Sequence, residues 1–155
     1  TRSDLVMKGY WRDAQATTQS VRNGWLHTGD IGYLDERGYL FLMDRSNDML
    51  ISGGENVYPR EIEEVLVRHP AVREVAVIGI PDDEWGEAVK AVVSTVEGAA
   101  VTERELIDFC KDHIASYKKP RSVDFVAELP RNNYGKIVKR ELREKYWRGR
   151  ERRVN

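Results

Sequence analysis

The stretch MLISGGENVYPREIEEVLVRHP, residues 49–70, decides the fold class, because it passes from a strand pattern to a helix pattern within a few residues. Met49 to Ser52 reads as a short strand that ends in two glycines, Gly53 and Gly54. Pro59 then stands in the first turn of a helix, where its missing N–H costs nothing. Ile62, Val65 and Leu66 fall on one face of that helix, and Pro70 is expected to end it.

Downstream, VREVAVIGIPD (72–82) and EAVKAVVSTVEG (87–98) are β-branched runs bounded by turns, and read as strands. Thr102 opens a second helix as N-cap, with Glu105 three places on as its capping-box partner. The expected core face of that helix is Leu106, Phe109, Cys110 and His113. YKKPRSVDFVAEL (117–129) carries another strand, and Val138 to Trp147 reads as a closing helix. From residue 48 the order is strand, helix, strand, strand, helix, strand, helix. This predicts a small α+β domain, a short sheet covered by helices.

Upstream, DRSND (44–48) is a polar break. Before it, WLHTGDIGYLDERGYLFLMDR (25–45) reads as a β-hairpin turning at Asp35-Glu36-Arg37-Gly38. Its strands are apolar on both faces: Ile31, Tyr33 and Leu34, then Tyr39 to Met43. A lone hairpin cannot bury two faces, so it needs a partner sheet that the chain does not supply. Residues 1–23 are polar, with a short-helix signal over Asp13 to Val21.

The 155 residues are 41% hydrophobic and 33% charged, enough apolar material for a true core. A net charge of −1 gives no reason to expect nucleic acid or an anionic membrane as partner. No transmembrane segment or signal-peptide pattern is present. The single Cys110 cannot form an internal disulfide, and reads as a buried small hydrophobe of a cytoplasmic protein. The opening Thr1, within what reads as continuing structure, suggests a fragment.

Three spots could carry chemistry. Asp30 in His27-Thr28-Gly29-Asp30 either accepts both hydroxyls of a ribose or makes an Asx turn with its own backbone. Ser52 to Asn56 is either a bare backbone for close approach of a narrow ligand or a loop joining strand to helix. Lys136, behind Gly135, is either a positioned cation or a solvated lysine. No P-loop is present, since G-x-x-x-x-G-K-[ST] is not matched. His27, His69 and His113 lack metal-ligand spacing, so no metal site is expected. The tail from Lys139 to Asn155 has eight Lys or Arg against three Glu and reads as a solvated helix end.

In combination these motifs resemble the C-terminal part of the adenylate-forming (AMP-binding) superfamily, above all an AMP-forming acyl-CoA synthetase. The resemblance runs from about Met7 to Glu144. It is carried by GWLHTGD (24–30), DRSNDMLISGGENVYPREIE (44–63), VAVIGIPDDEWGE (75–87), YKKP (117–120) and LPRNNYGKIVKREL (129–142). It implies a two-step reaction, in which ATP (with Mg2+) and a carboxylic acid give an acyl-adenylate, and coenzyme A then displaces AMP. It also implies that residues 1–44 end the large N-terminal domain, whose remainder is missing here. Residues 45–155 would form a mobile lid.

By that resemblance Asp30 holds the ATP ribose hydroxyls, Arg45 reaches the ribose and phosphate region, and Asn47 is the hinge. Relatives usually carry Asp or Lys at the hinge. Lys136 reaches the acid's carboxylate and the α-phosphate, from a loop expected to be flexible and stiffened by the bulky Tyr134. After lid rotation Gly53, Gly54, Glu55 and Asn56 replace it and line the path of coenzyme A. The fragment alone is expected to be inactive and to self-associate through the 25–43 hairpin. The alternatives are a carrier-protein-loading adenylation domain, a more distant luciferase-like oxidase and a non-catalytic interaction module. The carboxylic acid cannot be read from this chain.

Overall fold

The computed structural model describes residues 1–150 as two compact units, Thr1–Arg45 and Ser46 onward. Residues 151–155, the last part of the basic tail, lie outside the described residues.

The first unit opens with α1 (Ala14–Ser20), capped by the Asp13 carboxylate, which accepts from Ala16 N–H at 2.9 Å. β1 (Val21–Arg22) pairs antiparallel with β2 (Trp25–Leu26). β3 (Asp30–Leu34) and β4 (Leu40–Arg45) form the hairpin. This corrects the expectation at one end: Trp25 and Leu26 turn back on the preceding strand instead of extending the hairpin. At the other end, Asp35 Oδ1 accepts from the Arg37 and Tyr39 N–H groups and closes the expected turn. Tyr33 stacks on Phe41 at 5.2 Å, yet Leu34, Tyr39, Leu40 and Leu42 are more than half exposed.

The second unit is built on a five-stranded mixed sheet. Its elements are β5 (Leu50–Ser52), β6 (Glu55–Val57), α2 (Pro59–Leu66), β7 (Val72–Asp82), β8 (Gly86–Thr95), α3 (Glu103–Lys111), β9 (Ser122–Phe125) and α4 (Lys139–Trp147). β8 pairs with β7 along its length, with β5 at Gly86 and with β9 in parallel from Lys90 to Val93. Strand alternation divides the core between two faces. Val75, Val77, Val89, Ala91 and Val93 face α2 and α3, where Ile62, Leu66, Leu106 and Cys110 are fully buried. Ala76, Ile78 and Val92 face the other way, toward Leu129, Ile137, Leu142 and Tyr146 around α4. The predicted class, a small sheet covered by helices, is the class observed.

Local signals explain most boundaries. The Thr102–Glu105 capping box is formed in both directions. α2 starts at Pro59 but stops at Leu66, four residues before Pro70. His69 N–H bonds Leu66 O at 3.0 Å, so the chain tightens into a short turn before the proline is reached. His113 is a correction too: it lies past the end of α3, exposed, its ring against Phe109, and Ile114 packs toward the core in its place. Cys110 is buried as expected, and burial pushes its thiol up to about 11.

Candidate functional site

In the first unit Asp30 and Arg45 are directly opposed across β3 and β4, with Nε 3.7 Å from Oδ1. The Thr28 hydroxyl accepts from Asp30 N–H at 3.2 Å. The local turn is thus closed by threonine, and the aspartate side chain faces its cross-strand arginine rather than its own backbone. A carboxylate beside an exposed guanidinium at a strand end suits a ligand that carries both hydroxyls and phosphates.

In the second unit Gly53 and Gly54 are not a loop into a helix. They form the two-residue turn of a hairpin, β5 to β6, with φ of +61° and +85°. Positive φ at both positions is the type I′ pattern, which favours glycine. Three contacts fasten this turn to the sheet. Gly53 N–H donates to Trp85 O at 3.0 Å, Ser52 pairs with Gly86, and Ile51 N–H donates to the buried Glu87 carboxylate at 3.2 Å. Glu55 and Asn56 are exposed on the returning strand.

Beside the turn lies a recess of about 280 Å³ lined by Ser52, Trp85, Ser116, Tyr117, Lys119 and Arg121. The Arg121 guanidinium sits 4.4 Å over the Trp85 ring. Neighbouring Lys118 is committed elsewhere: burial would depress its pKa, but Glu61 at 2.7 Å more than reverses this and holds it above the usual lysine value. Two aromatic rings and two cations around a small recess suit a base bearing phosphate. DDEWGE and YKKP stand out as motifs in the sequence, but their spacing alone gives Trp85, Tyr117, Lys119 and Arg121 no role. Their clustering depends on β9 pairing with β8.

Lys136 is exposed, at one end of a hydrogen-bonded turn. Asn132 organises it. Its side-chain oxygen accepts from the Tyr134 and Lys136 N–H groups at 3.0 Å each, and its own N–H donates to Lys136 O at 2.9 Å. Arg131 and Ile137 bridge the two limbs, and the Arg131 guanidinium bonds both Gly135 O and the Glu74 carboxylate. Tyr134 is 90% exposed, so it does not stiffen the turn by packing. Asn47 is exposed, and its carbonyl accepts from Arg143 of α4 at 3.4 Å, while Arg143 also pairs with Asp48 at 3.0 Å.

Within this unit the Lys136 turn and the glycine turn lie at opposite ends of the β7–β8 ladder. The Lys136 turn is tied to Glu74; the glycine turn is tied to Trp85, next to the Asp82–Gly86 pair. Eight residues of extended strand separate the two ends, roughly 25 Å at about 3.3 Å per residue. Among the described residues no cluster of metal-binding side chains occurs.

The AMP-binding enzyme C-terminal domain family matches residues 61–136. The 2-succinylbenzoate–CoA ligase of Bacillus cereus is 52% identical over 139 residues, covering 90% of this chain and 28% of that protein. The chain thus spans less than a third of the length of the curated relatives it matches. Among solved structures, the o-succinylbenzoate CoA synthetase of Bacillus subtilis, in complex with the acyl-adenylate intermediate, is 43% identical with a TM-score of 0.86, over 91% of this chain and 29% of that one. ATP-bound MatB of Rhodopseudomonas palustris is 44% identical with a TM-score of 0.81, over 90% and 28%. With fold similarity, matched residues and relatives in agreement, the chain belongs to the adenylate-forming enzymes and carries their AMP-binding enzyme C-terminal domain.

Proposed function

We propose that this chain is the C-terminal portion of an AMP-forming acid–CoA ligase of the cytoplasm. Residues 1–44 belong to the end of its large domain, and residues 45–155 form a lid that turns about Asn47. ATP supplies the adenylyl group and the pyrophosphate leaving group, and coenzyme A supplies the thiol that later displaces AMP. Asp30 accepts hydrogen bonds from the ribose hydroxyls, and Arg45 holds the phosphate side. Lys136 places its ammonium between two anions, the acid's carboxylate and the α-phosphate. It lowers their repulsion and stabilises the charge that gathers as the carboxylate oxygen attacks phosphorus. In the second step the Gly53–Asn56 turn takes that place, with its glycine backbone offering a path for a narrow thiol arm. The recess of Trp85, Tyr117, Lys119 and Arg121 receives the phosphorylated adenosine at the far end of coenzyme A.

The observation that carries this reading is that the Lys136 turn and the glycine turn are tied to opposite ends of the β7–β8 ladder. A rigid lid cannot present both ends at one active centre at once. Serving two half-reactions from one centre therefore calls for rotation, and the exposed Asn47 lies just past the junction of the two compact units. The half-exposed apolar hairpin residues belong against further sheet of the large domain; without it, the fragment self-associates through residues 25–43.

The test uses the enzyme at full family length, following pyrophosphate and AMP release over a panel of carboxylic acids that includes 2-succinylbenzoate, with and without coenzyme A. AMP release that requires both an acid and coenzyme A upholds the reading. Pyrophosphate exchange on which coenzyme A has no effect overturns it in favour of another acyl acceptor, such as a carrier protein.

A further inference from the structure

We propose that Arg131, braced by Glu74, is a positioning residue that aims Lys136 at the reacting phosphate; this rests on the adenylation role assigned to Lys136. Leu129 is buried and Ile137 packs against the second core face, so the base of the turn is held by apolar contact. Asn132 gives the turn its internal shape. The Arg131 guanidinium adds a direct tie from the tip of the turn to the sheet: it donates one N–H to Gly135 O, the carbonyl immediately before Lys136, and another to Glu74 of β7. Because the fork is planar and rigid, two bonds made at once set an angle as well as a distance.

The pair is partly exposed, with side-chain accessibilities of 42% for Arg131 and 31% for Glu74, so its worth to global stability is small. Aim is a different quantity: a displacement of about 1 Å at a reacting group can cost up to about a hundredfold in rate. Lysine at 131 keeps the charge but lacks the fork, and glutamine at 74 keeps the shape but lacks the charge.

The experiment measures the two half-reactions separately in the full-length enzyme: adenylation by pyrophosphate exchange, and thioester formation from preformed acyl-adenylate. Arg131→Ala is expected to lower kcat for adenylation on the order of tenfold, leave the KM for ATP near its starting value and spare the thioester step. Arg131→Lys should recover only part of the loss. Glu74→Gln should be slower in the same half-reaction, and the Glu74→Gln/Arg131→Ala pair no worse than Arg131→Ala alone, since the two act as one unit. Adenylation unchanged in Arg131→Ala, both half-reactions falling together, or additive losses in the double variant would each overturn the proposal. Lys136→Ala separates the two levels. If it blocks adenylation while Arg131→Ala does not, only the positioning role fails; if Lys136→Ala is itself silent, the underlying role fails and the positioning role with it.

Discussion

Gly53 and Gly54 are adjacent and share positive φ, yet their surroundings differ. A Cβ on Gly53 would lie 2.3 Å from Cε3 of Trp85, whereas one on Gly54 would meet nothing within 4 Å. Gly54→Ala should therefore cost only the left-handed backbone penalty, about 1–2 kcal/mol. Gly53→Ala carries the same penalty plus displacement of an indole that Arg121 covers, and should cost at least about 1 kcal/mol more. Urea unfolding of the two variants checks the difference; equal losses would mean that the Trp85 contact does not hold the turn. Lys136→Ala belongs to this scale too: acyl-adenylate formation should fall by about 10²–10³, the usual cost of one such donor, with the thioester step from preformed acyl-adenylate retained. At this scale the sequence was legible where partners are near neighbours. Thr102 and Glu105 are three apart, and their reciprocal bonds could be read directly. Trp85 and Gly53 are 32 apart in sequence, so the reason for that glycine could not.

Among the elements, α4 is held as much by polar as by apolar contacts. Trp147 Nε1 donates to Gly79 O at 2.9 Å, Lys139 pairs with Glu63 at 2.8 Å and Arg143 with Asp48. Beneath the helix Asp124 gathers the buried Lys90 at 2.5 Å, Lys145 at 3.0 Å and the Tyr146 hydroxyl. Burial alone would raise the Asp124 carboxyl, but the bonds from Lys90, Tyr146 and Lys145 outweigh it and hold it well below the usual carboxylate range. Such a depressed group stabilises the fold at any pH above its unfolded value near 4. That stabilisation drains away as pH falls from about 4 toward the folded value. The Trp147 indole N–H resonance should thus stay fixed between pH 7 and 5 and broaden or shift below about pH 4. Asp124→Asn should remove that acid limb and weaken the docking of α4 already at pH 7, because Lys90 is left buried without its counter-charge. An unchanged acid limb in the variant would assign the transition to another carboxylate.

At the scale of the whole molecule, the apolar hairpin is left largely uncovered by its own unit, with Leu34, Tyr39, Leu40 and Leu42 more than half exposed. Light scattering of the isolated chain at tens of micromolar should report dimers or larger species, and Leu40→Lys with Leu42→Lys should return it toward monomer. A clean monomer of the unaltered chain would show that this surface is tolerated in water. The chain alone should form no acyl-adenylate.

The sequence by itself determined the class of the fold, the order of most of its elements, the Thr102–Glu105 helix cap and the motifs that name the family. All of these rest on periodicities and hydrogen bonds that span a few residues. Only the tertiary structure decided that the two glycines close a hairpin, that β9 runs parallel beside β8 and that Trp85, Tyr117, Lys119 and Arg121 line one recess. It also decided that an arginine and a glutamate 57 residues apart brace the lysine turn. These depend on strand register and sheet order, and many distant pairings compatible with the same local pattern compete for them until the core packs. The separation of the two turns along one ladder is a property of that packing.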